Sequence, residues 1–497
     1  MALQKITIAK KIKMKQITLI LGFLFCFATA AWGADSRFNV LFIISDDLTA
    51  TALSCYGNTV SQTPNIDRLA NQGTRFTRAL CQGTYCGPSR ASFMSGYYPH
   101  ATGVLGYTNP RPEIGDRATW SQHFKNSGYY AARVSKIYHM GVPGGIEERG
   151  DGRDHNSGDG ADDPASWTEK FNSPGPEWKA PGVGETLEGN PDGKKPVVGG
   201  NTFVVVAADG DDNIHSDGKT STKAVELIRQ HAAKPFFLAV GFVRPHVPFV
   251  SPKPYHIPYP FDQMTLPKKL TGDWDDIPKS GINYKTSVNM QMNEERQKKA
   301  VAGYYAAVAF MDAQVGKVLD ALDKSGQAAN TIIIFTSDHG YHLGEHDFWA
   351  KVSLRDESAM VPLIIKVPGK QPAVCHSLVE LLDLYPTISS LCGLEIPSRL
   401  QGKDISPMFD NPMATVRDCA FSVAPSSKGF LLREDKWAFI QYAEDGSKGI
   451  ELFDMVKDPH QYTNLAGKPE SADIVHRFQA KLAAKLDAVR DNDLDRK

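Results

Sequence analysis

The sequence lacks an excess of charge of either sign. Its 497 residues include 55 lysines and arginines against 56 aspartates and glutamates, which gives a formal net charge of −1. A protein whose main partner is nucleic acid needs a basic excess to neutralise phosphates, so we expect no nucleic-acid function. Internal repeats and low-complexity tracts are also lacking. The apolar fraction of 41% and the charged fraction of 22% are those of an ordinary globular protein.

The N-terminal region contains an apolar run that is too short to span a membrane. It covers residues 17–31, about fifteen residues where a spanning helix needs about twenty. Lysines precede the run, and the small-residue stretch Ala31-Trp32-Gly33 follows it as a plausible cleavage site. We therefore predict a signal peptide over residues 1–33, beginning at Met1 or Met14. The predicted location is periplasmic or secreted, without stable membrane insertion.

Cysteines are few, and their spacing suggests no disulfide framework. The chain has seven, and six remain once Cys26 leaves with the signal peptide. Six cysteines in an oxidising compartment could form three disulfides. If Cys86 is reactive, however, an odd number is left. The sequence leaves the pairing open.

Short continuous apolar runs alternate with amphipathic segments along the chain. Such runs predict buried parallel strands, and the segments between them predict helices. The predicted strands cover residues 38–44, 129–134, 235–242, 331–335 and 361–367, and the main predicted helices cover residues 63–73, 119–127, 220–231 and 295–324. This alternation predicts an α/β fold with a mostly parallel sheet flanked by helices.

Composition divides the chain further. Residues 141–220 are rich in glycine, aspartate, proline and asparagine and are predicted as long surface loops, as is the proline-rich segment 251–285. From about residue 411 the pattern changes to antiparallel strands and a closing amphipathic helix. The predicted segments are a signal peptide (1–33), a large α/β domain (34–410) and a smaller C-terminal α+β subdomain (411–497).

Ionisable residues follow four of the predicted strands. Because ligands bind beyond the carboxyl ends of strands in open α/β sheets, we expect these residues to converge. They are Asp46 and Asp47, Lys136 and His139, Arg244 and His246, and Asp338 and His339. Three carboxylates at one edge repel each other, and a divalent cation such as Ca²⁺ or Mg²⁺ relieves that repulsion. Taken alone, an Asp-Asp pair is equally typical of a loop start or a helix cap.

The stretch from Cys86 to Gly96 carries further chemistry. Pro88 fixes φ and suits the first turn of a helix, which places Cys86 at the helix N-terminus. The partial positive charge there and the Arg90 guanidinium both favour an anion. The alternative is a buried structural cysteine beside a capped helix.

Most of the fourteen histidines are interpreted as packing or surface residues. His246 differs, because it lies between two prolines directly after a predicted strand. His342 and His346 could be mistaken for zinc ligands, but the order His-Glu-x-x-His that a zinc hydrolase needs is missing.

The chain resembles the type I sulfatases, whose signature cysteine is oxidised to formylglycine, in Cys86-x-Pro88-Ser89-Arg90 followed by Ser95-Gly96. Other motifs extend the resemblance over nearly the whole mature chain. They are Asp46-Asp47, Lys136-x-x-His139, Arg244-Pro-His246-x-Pro248, Thr336-Ser-Asp338-His339-Gly340, Leu343-Gly-Glu-His346 through Trp349-Ala-Lys351, and Glu451-Leu-Phe-Asp with Asp458-Pro459. Residues 121–128 and 235–249 resemble the iduronate-2-sulfatase type most closely. That type usually has glycine where this chain has Ser135.

The resemblance implies an alkaline-phosphatase-like fold and a role for each site residue. The implied ligands of a Ca²⁺ ion, preferred over Mg²⁺, are Asp46, Asp47, Asp338, His339 and the formylglycine made from Cys86. Arg90 would orient the formylglycine hydrate, and Lys136 and Lys351 would bind sulfate oxygens. His246 would protonate the leaving alcohol. His139 would be the base that helps to release sulfate.

The predicted activity is hydrolysis of sulfate esters on a sulfated carbohydrate: a 2-sulfated uronate, a glycosaminoglycan or an algal polysaccharide such as ulvan. The implied partners are this saccharide and a formylglycine-generating or equivalent maturation enzyme. Candidate substrate contacts are Arg111, Arg117, Arg153, His155 and Trp167, each with an ordinary surface role as the alternative. Two alternatives stay open for the whole chain. One is a phosphodiester, phosphonate or choline-type sulfate hydrolase of the same fold, and the other is a non-catalytic protein that binds sulfated glycans.

Overall fold

The structure, a computed structural model, describes residues 37–141, 160–189, 202–232, 234–424 and 428–494. The predicted signal peptide lies outside these ranges. Within them, no helix has both the length and the apolar character needed to cross a membrane.

Eighteen strands and ten α-helices make up the described part of the chain. The strands are β1 (Asn39–Asp46), β2 (Thr74–Leu80), β3 (Tyr130–Ser135), β4 (Glu169–Phe171), β5 (Gly182–Thr186), β6 (Val204–Ala208), β7 (Phe236–Pro245), β8 (Phe249–Pro252), β9 (Thr331–Ser337), β10 (His342–Leu343), β11 (Trp349–Ala350), β12 (Met360–Lys366), β13 (Ala373–Cys375), β14 (Val379–Glu380), β15 (Ala420–Ala424), β16 (Gly429–Arg433), β17 (Trp437–Tyr442) and β18 (Ile450–Asp454). The helices are α1 (Pro64–Ala70), α2 (Cys86–Ser95), α3 (Pro99–Thr102), α4 (Arg111–Ile114), α5 (Trp120–Asn126), α6 (Ser216–His231), α7 (Glu294–Lys324), α8 (Asp356–Ala359), α9 (Leu384–Leu391) and α10 (Ala472–Arg490).

The central sheet has nine strands in the order β13-β2-β12-β9-β1-β7-β3-β4, with β14 beside β2. Strands β9, β1, β7, β3 and β4 run parallel to one another. Strand β12 runs antiparallel to both of its neighbours, β2 and β9. The predicted α/β fold with a mostly parallel sheet is therefore confirmed. The strand β2 was not predicted from the sequence.

Both faces of the sheet are covered, which explains why β1 is apolar at successive positions. Side chains alternate between the two faces of a strand. Leu41 and Ile43 belong to the core cluster that includes the apolar stripe of α7. Phe42 points to the other face, where its ring lies 5.0 Å from that of Trp120 in α5. Between Val40 and Ile44, where both faces are buried, β1 therefore has no polar side chain.

The register brings the carboxyl ends of four parallel strands to one edge of the sheet. Ser45 pairs with Ser337 between β1 and β9. Gly241 in β7 pairs with Ile44 of β1 on one side and with Ser135 of β3 on the other. The ionisable residues that follow these positions therefore meet, as the sequence predicts.

The prediction of long loops over residues 141–220 is wrong for the part that the structure describes. Strand β4 extends the central sheet, and β5 and β6 form a three-stranded sheet with the later strand β8. Each of these strands has five residues or fewer. Such short strands show little periodicity, and β6 finds its parallel partner β8 some forty residues later. The loop-like composition of these segments therefore does not indicate that they pair with strands far away in the sequence.

The C-terminal sheet consists of β15 to β18 in chain order, all antiparallel. The Phe478 ring of α10 stacks on the Phe439 ring of this sheet at 5.1 Å between centroids. Its edge strand β15 also contacts the segment that leads into Cys86, because Thr84 N donates to Val423 O at 3.0 Å. The predicted smaller C-terminal part of the fold is confirmed, although Asn39–Lys497 group as one compact unit. The boundary at residue 411 stays a prediction.

The end of β3 is held in an unusual backbone conformation. Ser135 has a φ of 61°, in the left-handed region that costs an L-residue about 1–2 kcal/mol. Its buried hydroxyl has no hydrogen-bond partner in the described part of the chain. Next to it, a Cβ on Gly241 would lie 2.1 Å from Lys136 O, so glycine is needed there for the close approach. These two positions fix where Lys136 leaves the sheet.

We predict that Ser135→Gly stabilises the protein. Glycine adopts positive φ without strain, and the change removes a buried hydroxyl that lacks a partner. The free energy of unfolding should rise by about 1 kcal/mol relative to the wild type, measured by urea denaturation. Ser135→Ala is the matched control, because it removes the hydroxyl but keeps the strained φ. A Ser135→Gly protein no more stable than Ser135→Ala would contradict this explanation.

Candidate active site

Helix α2 begins at Cys86, as predicted. Pro88 lies in its first turn, and Gly96 ends it with a φ of 84°. Every residue of α2 is buried, so the helix N-terminus delivers its partial positive charge into the interior rather than to water. Cys86 therefore lies at the buried, electropositive end of a helix beside the strand ends.

Arg90 connects three strand ends to this helix. Its Nε donates to Asp338 Oδ2 at 2.9 Å, and its Nη2 donates to Asp46 Oδ1 at 3.2 Å. Its Nη1 donates to Lys136 O at 2.7 Å and to Ile137 O at 2.9 Å. The guanidinium thus orients carboxylates and backbone at the ends of β1, β9 and β3. The role predicted for Arg90, to orient the formylglycine hydrate, stays a prediction.

Cys86 contacts a histidine and a lysine directly. Its Sγ lies 3.2 Å from His339 Nε2 and 3.2 Å from Lys351 Nζ. Lys351 Nζ also donates to Asp47 Oδ1 at 2.6 Å. Asp47 has a φ of 63°, a conformation that aspartate tolerates better than most residues. Cys86 Sγ also lies 4.0 Å from Asp47 Oδ1, so the structure brings residues of three other segments into contact with Cys86.

Three buried carboxylates face three buried cations at this edge. The carboxylates belong to Asp46, Asp47 and Asp338, and the cations to Arg90, Lys136 and Lys351. Lys136 Nζ lies 2.5 Å from Asp46 Oδ2. Buried charges are tolerated only when they are paired, and the matched numbers satisfy that requirement.

The pKa shifts follow from burial and these pairs. Burial alone would raise the pKa of Asp46, but Lys136, His246 and Arg90 hold it well below its ordinary value. Burial alone would likewise lower the pKa of Lys351, but Asp47 raises it well above the ordinary value. Burial raises the pKa of the Cys86 thiol well above its usual range, with Lys351 opposing. The unmodified cysteine is therefore a neutral thiol and a weak nucleophile.

The donor set at Cys86 fits a bound cation. His339 Nδ1 lies 2.9 Å from Gly340 O, which can only accept, so Nδ1 carries a hydrogen and Nε2 is the nitrogen that a metal ion could use. This Nε2 lies 3.3 Å from Asp47 Oδ1 and 3.5 Å from Asp338 Oδ2. Acceptors this close need a proton or a cation between them. The potential ligand atoms that all lie within 4.8 Å of one another belong to Asp46, Asp47, Cys86 and His339.

Asp338, the fifth predicted ligand, adjoins this group through His339. Its Oδ1 accepts hydrogen bonds from the backbone N–H of Asp47 at 3.2 Å and of His339 at 3.1 Å. The same carboxylate therefore fixes the backbone of two other candidate ligands. Three carboxylates are the hard oxygen donors that Ca²⁺ takes, and the imidazole is the soft member of the set.

His246 is held by Arg244 and by two residues that the sequence did not single out, Asp217 and Glu177. Asp217 accepts the backbone N–H groups of Val243 and Arg244 at 2.8 and 2.9 Å. The Arg244 side chain donates to His246 O at 2.8 Å and pairs with buried Glu177. His246 Nδ1 lies 2.5 Å from Val247 O, which leaves Nε2 facing Asp47 Oδ2 at 3.8 Å. Burial, together with Lys351, lowers the pKa of His246 well below its ordinary value.

His139 lies beneath an aromatic ring. Its imidazole stacks on Tyr107 with 3.7 Å between ring centroids and 18° between planes. Burial, followed by the charge of Lys136, lowers the pKa of His139 well below its ordinary value. The ring is therefore neutral and able to accept a proton. Tyr107 was missed in the sequence because a tyrosine in a loop gives no pattern.

The residues predicted as substrate contacts have other partners in the structure. Arg111 binds Asp163 through two nitrogens, and Arg117 binds Asp493 at 2.6 Å. Trp167 is buried, and its Nε1 donates to a neighbouring carboxylate. Arg153 and His155 lie outside the described residues. The three that the structure describes are accounted for by packing and ion pairs.

One member of the possible zinc pair, His346, is also accounted for by other contacts. His346 Nδ1 lies 2.9 Å from Asp273 Oδ2, and its Nε2 lies 2.9 Å from His460 O. Neither His342 nor His346 belongs to the group of potential metal ligands found in the described ranges.

Comparisons with known proteins show to which family the chain is similar. The family model described as Sulfatase matches residues 38–394, and the one described as N-sulphoglucosamine sulphohydrolase, C-terminal, matches residues 344–488. The chain is 32% identical over 466 residues to a protein named Sulfatase from Formosa agariphila, with 90% of this chain and 85% of that protein covered. It is 34% identical over 429 residues to iduronate 2-sulfatase from Mus musculus, with 77% and 74% covered.

Among solved structures, the fold is similar to that of a phosphonate monoester hydrolase from Silicibacter pomeroyi. The TM-score is 0.72 at 22% identity, with 90% of this chain and 95% of that chain covered. Likeness at this identity concerns the fold alone, and it confirms the predicted alkaline-phosphatase-like architecture.

We predict that Ca²⁺ stabilises the protein through this site. Chelation should lower the melting temperature and added Ca²⁺ should restore it, because a ligand that binds only the folded state stabilises by about 2.7 kcal/mol at one hundred times its Kd. Asp47→Asn should abolish the response, measured by differential scanning calorimetry. Asp435→Asn is the matched control, since Asp435 is exposed and pairs with Arg78. A melting temperature that changes with neither chelator nor added Ca²⁺ would contradict a calcium site at these residues.

Proposed function

Since the chain belongs to the sulfatase family and is a sulfuric ester hydrolase, we propose that it removes sulfate from a carbohydrate through a formylglycine at position 86 and a bound Ca²⁺. The observation that carries this proposal is the position of Cys86. It occupies a helix N-terminus with its Sγ 3.2 Å from both His339 Nε2 and Lys351 Nζ. This is where a nucleophile, a metal ligand and a sulfate oxygen would have to meet.

Oxidation of Cys86 accounts for the surroundings better than a thiolate does. Burial disfavours the thiolate, whereas the two hydroxyls of an aldehyde hydrate need no charge in the resting site. Formylglycine would supply one hydroxyl to attack sulfur and a second whose deprotonation releases sulfate, while Ca²⁺ would favour ionisation of the first. A separate maturation enzyme would supply the oxidation.

Lys136 and Lys351 are proposed to bind the sulfate oxygens. Both ammonium groups are buried and fixed by carboxylates, so they need little reorganisation when charge develops in the transition state. Such fixed charges aimed at developing negative charge usually provide the largest part of catalysis in transfers of this kind. Arg90 is proposed to hold Asp46 and Asp338 in place for the cation.

His246 is proposed to protonate the leaving alcohol. Its low pKa before substrate binds results from burial and from Lys351. A sulfate anion placed beside the two lysines offsets their effect, which raises the pKa of His246 and favours the protonated form that an acid needs. His139, whose pKa is low because of burial and Lys136, is proposed as the base.

The proposed substrate class is a sulfated saccharide, with a 2-sulfated uronate as the first candidate. The similarity to a protein named iduronate 2-sulfatase supports that choice. Glycosaminoglycans and algal polysaccharides such as ulvan belong to the same class. The rival is a phosphonate monoester or phosphodiester, favoured by the fold shared with a phosphonate monoester hydrolase. A small ester such as choline sulfate is a further rival within sulfate chemistry.

The protein is also proposed to be exported, to the periplasm or outside the cell. The support is the order of residues at the N-terminus, where lysines precede a short apolar run and small residues. Sulfated polysaccharides lie outside the cytoplasm, so export would bring the enzyme to its proposed substrate.

We predict that active protein contains a modified residue at position 86. The tryptic peptide with Cys86 should be about 18 Da lighter than its thiol form, because the change replaces a thiol by an aldehyde. Mass spectrometry measures the modification. Sulfate release should then be assayed over sulfated disaccharides, ulvan fragments, choline sulfate and phosphonate monoesters.

The expected result is release of sulfate from a saccharide that scales with the modified fraction, with Cys86→Ala inactive. Fully active protein with an unmodified thiol would contradict the mechanism. Hydrolysis of phosphonate monoesters in preference to every sulfate ester would contradict the substrate class.

A further inference from the structure

Three tyrosines near Cys86, Tyr85, Tyr107 and Tyr284, have exposed or partly exposed side chains. Tyr85 precedes Cys86 directly, and both Tyr85 and Tyr107 are partly exposed. The Tyr284 residue is 48% exposed. By contrast, the carboxylates and cations of the site are buried. A substrate whose sulfate enters this charged cluster must therefore leave its carbon skeleton against the tyrosines.

The backbone places Tyr107 against the first turn of α2. A Cβ on Gly87 would lie 2.2 Å from Gly106 O and 3.2 Å from Tyr107 Cα. The loop that contains Gly106 and Tyr107 therefore passes so close to the start of α2 that residue 87 must be glycine. Since Gly87 follows Cys86 directly, Tyr107 is held beside the nucleophile by backbone contact.

Tyr85, Tyr107 and His139 form a stack of three rings. The Tyr107 ring lies 4.6 Å from Tyr85 at 30° and 3.7 Å from His139 at 18°. Two nearly parallel rings at these distances cannot share one face of Tyr107, so they occupy opposite faces. The stack is anchored at its buried end by His139 and ends in Tyr85 at its more exposed end. A rigid aromatic face thus borders the site.

Tyr284 lies on the side of Cys86 where Lys351 enters. Its neighbours pair with the strand before that lysine, because Asn283 Nδ2 donates to Trp349 O at 2.8 Å and Trp349 N donates to Lys285 O at 3.0 Å. Tyr284 also lines a cavity of about 190 Å³ together with Val352. Sites for drug-sized ligands have volumes of roughly 300–1,000 Å³. The smaller cavity beside Tyr284 therefore has room for one substituent of a substrate rather than for a whole ligand.

Hydrogen bonds join the segment that carries Tyr85 to the segment that carries Lys351. Thr84 and Val352 exchange two hydrogen bonds, Val352 N to Thr84 O and Thr84 Oγ1 to Val352 O, each at 3.0 Å. Tyr85 follows Thr84, and Lys351 precedes Val352. The exposed ring of Tyr85, the lysine and the cavity beside Tyr284 therefore lie next to one another.

We propose that Tyr85, Tyr107 and Tyr284 form a subsite that binds the sugar ring carrying the scissile sulfate, with Tyr85 as its stacking face. The inference rests on the proposed function and adds the residues that recognise the saccharide. A tyrosine offers an apolar face to the C–H groups of a pyranose and a hydroxyl to its polar edge. We call these three residues the tyrosine subsite.

A quaternary ammonium is the competing ligand for aromatic rings, and the geometry disfavours it. Recognition of such a cation uses the faces of rings around it. Both faces of Tyr107 are covered by neighbouring rings, so it has no face to offer. The ammonium groups of Lys136 and Lys351 would also repel a cation bound beside them. A sugar ring, whether neutral or carrying the carboxylate of a uronate, meets neither obstacle.

The test uses matured, calcium-loaded enzyme and two ligands. One is a disaccharide with a 2-sulfated uronate, for which KM and kcat are measured, and the other is inorganic sulfate, measured as a competitive inhibitor. Sulfate probes only the charged cluster, whereas the disaccharide also probes the tyrosine subsite. The variants are Tyr85→Ala, Tyr284→Ala and the conservative Tyr85→Phe.

Tyr130→Ala is the matched control. Tyr130 also stacks on another ring, that of His231 at 3.5 Å, but it lies at the opposite end of β3 from the site. Its removal should leave KM for the disaccharide as in the wild type. This control separates the loss of an aromatic stack in general from the loss of this one.

We expect Tyr85→Ala and Tyr284→Ala each to raise KM for the disaccharide about tenfold, with the inhibition constant of sulfate changed less than about twofold. Tyr85→Phe should keep KM within about threefold, because the stacking face remains. Equal changes for both ligands, or no change in KM, would overturn the tyrosine subsite. Failure of the wild type to hydrolyse any sulfated saccharide would instead overturn the proposed function.

Discussion

The structure depends on one buried ion-pair network, in which Arg90 holds Asp46 and Asp338 and the backbone at residues 136 and 137. A buried pair contributes little net stability, but removal of one partner leaves the others as uncompensated charges. The network therefore sets geometry more than stability. It joins helix α2 to the ends of three parallel strands, and in doing so it fixes the position of Cys86 relative to Asp46, Asp338 and the backbone of Lys136.

Charge balance explains why this site suits a sulfate ester. The three carboxylates and three cations of the cluster cancel before any ligand arrives. A divalent cation, a deprotonated nucleophile and a monoanionic sulfate ester then add no net charge. A phosphate monoester, as a dianion, would leave an excess negative charge in an interior where unbalanced charge is costly. Diesters and phosphonate monoesters are monoanions, so their discrimination depends on residues outside the cluster, of which the tyrosine subsite is the candidate.

The sequence predicts what local patterns encode. Apolar runs that end in Asp46, Lys136, His246 and Asp338 predicted the converging strand ends, and Pro88 predicted the helix that begins at Cys86. Contacts between distant segments could not be predicted, because they leave no local pattern in the sequence. Examples are the hydrogen bond that Asp217 accepts from the segment before His246, the stacking of Tyr107 on His139, and the pairing of β6 with β8. Ser135 is intermediate: the sequence showed that it stands where glycine is usual, and only the structure, with a φ of 61°, shows why glycine suits this position.

The most direct test of the account is a crystal structure of matured, calcium-soaked protein with anomalous data. We expect an anomalous peak for Ca²⁺ that lies within bonding distance of oxygens of Asp46, Asp47 and Asp338. That distance is roughly 2.3–2.6 Å for Ca²⁺ ligands. We also expect no sulfur signal at position 86, where an aldehyde hydrate should lie against the cation. A sulfur peak at residue 86 in active crystals, or a water in place of the cation, would contradict the account.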